Sequence, residues 1–144
     1  MITEDTSMKN EFTARIEHLK MIQANISRMA SNSFIVKGWA ITSIGAMYAY
    51  WLTNKSNFLL WIILGATILF WFHDAYYLMV ERAFRKLYDK IRMEKISRNR
   101  IETFEMTPIF HESIFCVAFS RKIVLLPYGL ISIITVIILI CNTK

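Results

Sequence analysis

An aspartate inside a long apolar run has the strongest claim to chemistry in this chain. Asp74 falls near the end of Phe58–Val80, 23 residues that otherwise carry no formal charge. An ionised carboxyl in lipid is costly unless it is paired or hydrated, so such a residue is a functional candidate by default. One cation suits it. Lys37 is the only charge in the run Phe34–Leu52 and falls at a similar depth when the two runs lie antiparallel. Two readings stand. The residues form a structural pair, or they sit on an ion path together with Thr42 and Ser43, whose hydroxyls would line it. Without a partner, Lys37 would snorkel to the headgroups.

The second chemical feature is basic. From Arg82 to Arg100, eight Lys and Arg stand against two acids, Asp89 and Glu94. Positive-inside topology and attraction to anionic lipid explain such a segment without any ligand. Arg92, Lys95, Arg98 and Arg100, however, lie beyond one Debye length, about 8 Å, from the apolar run if the helix stays straight. Lipid attraction fades there. Those four side chains with Phe104 and Phe110 form a candidate site for phosphates and stacked bases.

Catalytic signatures are missing. There is no Gly-rich phosphate loop, HExxH, Cys pair or nucleophile elbow. His73 and Asp74 are adjacent, and neighbouring helical side chains point about 100° apart. Cys116 and Cys141 fall at opposite ends of the last apolar run, too far apart for a disulfide and outside metal-ligand spacing. Both read as packing thiols. The sequence predicts neither an enzyme nor a metal or cofactor site.

These residues need elements to hold them. Of 144 residues, 55% are hydrophobic, gathered in three runs: Phe34–Leu52, Phe58–Val80 and Ile123–Cys141. Each is long enough to cross about 30 Å of hydrocarbon as a helix. Four Gly and two Pro do not suit a turn-rich β fold. The expected fold class is an all-α integral membrane protein. It has three transmembrane helices, an N-terminal amphipathic helix and a long cytoplasmic extension of the second span. The chain divides into the amphipathic helix (1–33), a transmembrane hairpin (34–80), a basic helix and connector (81–122), and the third span with the C-terminus (123–144). The N-terminal residues lack a signal-peptide pattern, so the first span would serve as an uncleaved anchor.

Residues 8–33 place Phe12, Ile16, Leu19, Gln23, Ile26 and Ala30 on one predicted face. That face packs on the helix after Val80, lies on the membrane surface, or forms a seam between subunits with Gln23 restricting register. Gly38, Thr42, Gly45, Ala46 and Ala49 make a small-residue stripe suited to close helix packing. One helix is predicted from Phe58 to about Ser97, because no Pro or paired Gly interrupts it. Trp71, Phe72, Tyr76 and Tyr77 read as an interfacial aromatic belt, and Glu81 with Arg85 as a helical ion pair. Ser113–Phe119 reads as a short interfacial helix, and Pro127 as a kink or first-turn proline in the third span. Fourteen Lys and Arg fall on one side of the three runs and two on the other. The N-terminus is therefore expected inside and the C-terminus outside.

The stretches EHLKMIQANISRMASNSFIVKGWAITSIGAMYAY and FWFHDAYYLMVERAFRKLYD resemble small bacterial membrane effectors of antiphage defence, the Hailong-type effectors among them. The resemblance covers about residues 17–89 and recurs at SRKIVLLPYG. It implies a homo-oligomeric channel in the bacterial inner membrane, opened or released by a nucleotide or oligonucleotide signal, which depolarises the cell. It assigns no residue a role. The alternative is a non-conducting anchor or scaffold for a cytoplasmic partner from the same operon.

Overall fold

The computed structural model describes residues 2–93, 106–108, 110 and 112–142, with side chains from residue 8 onward. Four helices follow in order: α1 (Ile2–Asn54), α2 (Asn57–Met93), α3 (Ile114–Ser120) and α4 (Lys122–Asn142). No strand occurs among the described residues. α1 runs unbroken through the expected boundary at residue 33, since no Pro or Gly lies between residues 2 and 37. Its 53 residues span roughly 80 Å at 1.5 Å per residue.

α1 ends at a two-residue turn. Lys55 takes a left-handed backbone, φ 49°, and donates its amide to Trp51 O at 2.8 Å. Its ammonium lies 4.4 Å from the centre of the Trp51 ring, offsetting part of the strain a non-glycine residue bears there. α2 then returns antiparallel along α1 as far as Met93, and its expected continuation to Ser97 lies outside the described residues.

The packed faces follow a three-four alternation. On α1 the buried positions include Ile22, Ile26, Ser33, Ala40, Ile44 and Trp51. On α2 they include Leu60, Ile63, Thr67, Asp74, Glu81, Leu87 and Ile91. A repeat near 3.5 residues is what two long helices need to stay in contact along their length. Within it, Ile22 and Ile26 of α1 meet Leu87 and Ile91 of α2, with Leu19, Phe84, Tyr88 and Met106 around them. Each such side chain contributes about 1.5–3 kcal/mol where burial removes it from water. Arg15 closes this end by donating to the carbonyls of Ile91 and Arg92, among the last of α2.

The predicted α1 face needs correction. Phe12, Ile16, Gln23 and Ala30 are exposed, while the packed seam carries His18 and Ile22. The intramolecular contact with α2 keeps Leu19 and Ile26 of the expected face and replaces its other positions with His18 and Ile22, while Gln23 stands exposed beside it.

α3 is capped by Ser113, whose Oγ accepts from the Cys116 amide at 3.2 Å. It packs on α2 through Trp71, which donates to Ala118 O at 3.1 Å and sits 5.0 Å from the Phe119 ring. Phe72 meets Phe115 edge-on at 5.5 Å. Two members of the expected aromatic belt thus hold α3. α4 packs on α2 and α3, and no α4 Cα comes within 8 Å of an α1 Cα. Pro127 lies inside α4, as its sixth residue. Both cysteines are free and exposed, so neither packs in the core.

Among the described residues two helices, α2 and α4, are long and apolar enough to cross a membrane. The third expected span, within α1, is less apolar because Lys37, Gly38, Gly45 and its hydroxyl residues dilute it.

Candidate functional site

Asp74 is fully buried at the α1–α2 seam. Its Oδ1 accepts from Lys37 Nζ at 2.7 Å and from Ser33 Oγ. Lys37 Nζ also donates to Ser33 Oγ at 2.8 Å, closing a three-membered network. Positions 33, 37 and 74 all fall on the seam, because Ser33 and Lys37 are one turn apart on α1. Charge-assisted bonds of this kind are the strong ones. Breaking one side of such a buried pair leaves an uncompensated charge. Lys37 keeps 27% of its side chain exposed, against none for Asp74.

The other oxygen of Asp74, Oδ2, has no hydrogen-bond partner among the described residues. Tyr128 of α4 is buried, and its hydroxyl likewise has no hydrogen-bond partner among the described residues. Sequence reasoning missed Tyr128. Its signal was a lone tyrosine within an aliphatic run, at about the depth of Asp74 from the same end. Deeper in the bundle, Tyr48 and Thr135 hydrogen-bond to each other, and Thr135 also donates to Ile131 O at 2.7 Å.

The remaining candidates separate. Thr42 is exposed and donates to Gly38 O at 2.9 Å, an intrahelical bond. Ser43 is half-buried. His73 is exposed and packs edge-on to Tyr77 at 5.5 Å, so it forms no dyad with Asp74. Gly38, Gly45 and Gly65 face open space, with nothing within 4 Å of an added Cβ, so the small-residue stripe meets no helix of its own chain.

Of the basic candidates, Arg92 is exposed at the end of α2 and lies 3.7 Å from Asp89. Phe110 is exposed. Lys95, Arg98, Arg100 and Phe104 lie outside the described residues, so the geometry of the proposed phosphate site is not given by the structure. Glu81 and Arg85 pair at 2.7 Å as their spacing requires. Glu112 binds Arg121 at 3.2 Å and lies 3.7 Å from Arg82, tying the connector to α2. No protein-family model, curated protein or solved structure matches the chain.

Proposed function

We propose that the chain is a three-span protein of the bacterial inner membrane that assembles into a homo-oligomeric, ligand-gated channel. A nucleotide or oligonucleotide signal bound at the basic segment opens it, and opening depolarises the membrane. The observation that carries this reading is the continuity of α1 and α2 from the Ile22–Leu87 contact to the hairpin turn. A displacement at the basic end cannot be absorbed by a hinge, and it reaches the Lys37–Asp74 pair along both helices.

Two features support the third span and the assembly. Around its seam, α1 exposes Phe34, Ile35, Trp39, Ile41, Tyr50 and Leu52, a surface suited to lipid. The open stripe Gly38–Gly45–Ala49 on the same segment suits close approach of a second copy, since lipid gives apolar helices no hydrophobic reason to associate. Three helices enclose no wide aqueous pore, so a channel of this kind is a ring of protomers.

The second reading is an anchor for a cytoplasmic partner. It draws on the exposed face Met8, Phe12 and Ile16. The test is reconstitution into planar bilayers with native mass spectrometry of the detergent-extracted protein. The channel reading expects one defined ring, conductance steps on adding a nucleotide signal, and loss of both in Gly38→Leu/Gly45→Leu. A monomer that never conducts and co-purifies only with a cytoplasmic partner would sink it and favour the anchor.

A further inference from the structure

Two guanidinium groups share one carboxylate where α2 meets the α3–α4 elbow. Arg121 Nη2 donates to both oxygens of Glu112, at 3.2 and 3.3 Å, and Arg82 Nη1 lies 3.7 Å from Glu112 Oε2. One acid cannot neutralise two cations, and Lys122 stands exposed next to Arg121. Among the described residues the cluster keeps two positive charges, three cations against one acid. The Nε atom of each Arg is buried without a described partner, yet the Arg82 and Arg121 side chains stay 34% and 37% exposed. Neither Arg82 Nη2 nor Arg121 Nη1 has a hydrogen bond among the described residues. Those free ends are what a ligand reaches, and planar guanidinium forks match the oxygens of a phosphate.

The place of the cluster says which phosphate. Arg82 follows the apolar run Phe58–Val80 by two residues, and Arg121 immediately precedes α4. The network thus joins the matching ends of the two helices apolar enough to cross a membrane. Exposed apolar surface begins at the same level. α3 buries Val117 and Ala118 but exposes Phe115 and Phe119. Ile123, Leu126 and Leu130 of α4 extend that surface, at the three-four spacing of one helix face. A soluble phosphate would meet the charges and leave the apolar surface uncovered. A phospholipid covers both, with its phosphate on the arginines and its chains along α4. Its net charge matters as well. A choline cancels its own phosphate and gains no net attraction from the cluster, whereas an anionic headgroup does.

We propose that Arg82 and Arg121 bind the phosphate of an anionic phospholipid at the α2 end and the α3–α4 elbow, with Lys122 adding charge. Glu112 is a positioning residue: it holds the two guanidinium groups on one point. The proposal rests on the membrane placement of α2 and α4, part of the proposed function, and needs neither the third span nor the ring nor conductance.

The test follows thermal unfolding of the full chain in a neutral detergent as phosphatidylglycerol, phosphatidylcholine or inorganic phosphate is added at equal phosphate concentrations. A ligand that binds only the folded chain raises the midpoint with its concentration. Phosphatidylglycerol is expected to raise it, and the other two to do so far less. The apparent affinity from the phosphatidylglycerol series is expected to fall about tenfold or more in Arg121→Gln and in Arg82→Gln, since each removes hydrogen bonds to a charged group. Lys90→Gln removes the same charge about 12 Å further along α2 and is expected to keep the parental affinity. Equal protection of the parent by phosphatidylglycerol and phosphatidylcholine overturns the proposal. Equal protection by inorganic phosphate overturns the lipid as occupant and leaves a free-phosphate site. Both results need only the parent, so they decide even where a variant fails to fold. Parental affinity in either arginine variant also overturns it, as does a loss in Lys90→Gln equal to theirs, which marks diffuse attraction. None of these results alters the conductance or ring size that the channel reading expects, so the two readings fail separately.

Discussion

Among the described residues, Asp74 takes both of its hydrogen bonds through one oxygen, from Lys37 and Ser33, and none through the other. Its neighbours therefore differ in what their loss exposes. Asp74→Ala leaves Lys37 unpaired beside the seam, whereas Lys37→Met with Asp74→Leu removes both charges and fills the space. Breaking one side of a buried pair costs about 3–5 kcal/mol, and replacing both sides is often close to neutral. Thermal unfolding in one detergent is expected to rank Asp74→Ala well below the double variant. A double variant as unstable as the two single changes summed would show that the contact contributes nothing. Ser33→Ala removes one donor to a charged acceptor and is expected to cost about 1.5–3 kcal/mol. Tyr128→Phe removes a hydroxyl without a protein partner, so the same assay is expected to show little loss of stability.

At the scale of elements, the seam of α1 shows which part of the fold was legible. The long apolar runs, the uninterrupted α2 through the described residues and the short helix after Ser113 all follow from periodicity and from where Pro and Gly are missing. The Lys37–Asp74 contact followed from hairpin depth alone. The packed face of α1 did not. Its N-terminal half carries two adjacent apolar stripes that share Leu19 and Ile26, and the true seam is interrupted by polar His18 and Ser33, which the α2 partner face accommodates. Only the register propagated from the Lys37–Asp74 contact chooses between the stripes, and that is tertiary information. The choice has a measurable consequence. Ile22 is fully buried against α2, so Ile22→Ala is expected to destabilise by about 2–5 kcal/mol. Phe12 is 55% exposed, so Phe12→Ala is expected to change stability by no more than about 0.5 kcal/mol. Denaturant unfolding followed by circular dichroism measures both. A larger loss at Phe12 would show that its face is covered, as the seam between subunits requires.

On the scale of the whole molecule, α2 is the hub: α1, α3 and α4 each pack on it. Its basic end and its apolar body are one element, and the proposed function places that end in the cytoplasm, in keeping with the Lys and Arg asymmetry. Lys144→Cys, made in a Cys116→Ser/Cys141→Ser background, is expected to react with a membrane-impermeant maleimide on intact spheroplasts, while Lys9→Cys is expected to react only after lysis. The reverse pattern would invert every side assignment. In the proposed orientation, Arg92 and the basic residues that follow it face the cytoplasm and the proposed polyanionic signal. A ligand shifts a closed–open equilibrium only by its differential affinity for the two states. Several phosphates against several guanidinium groups supply such affinity in a strongly salt-dependent form. Among the described residues Arg92 meets a carboxylate only at 3.7 Å, and an exposed contact of that length is worth little. Arg92→Glu/Arg98→Glu is therefore expected to abolish oligonucleotide binding and signal-dependent growth arrest, with membrane insertion and oligomer size unchanged. Attraction to anionic lipid as the only role of these charges gives the opposite pattern, with impaired insertion and an unaltered ligand response. Fluorescence anisotropy with a labelled oligonucleotide across a salt series separates the two, because each lost phosphate contact lowers the salt slope by about one unit. A double variant that binds as tightly as the parent at every salt concentration would remove the basic segment as the sensor.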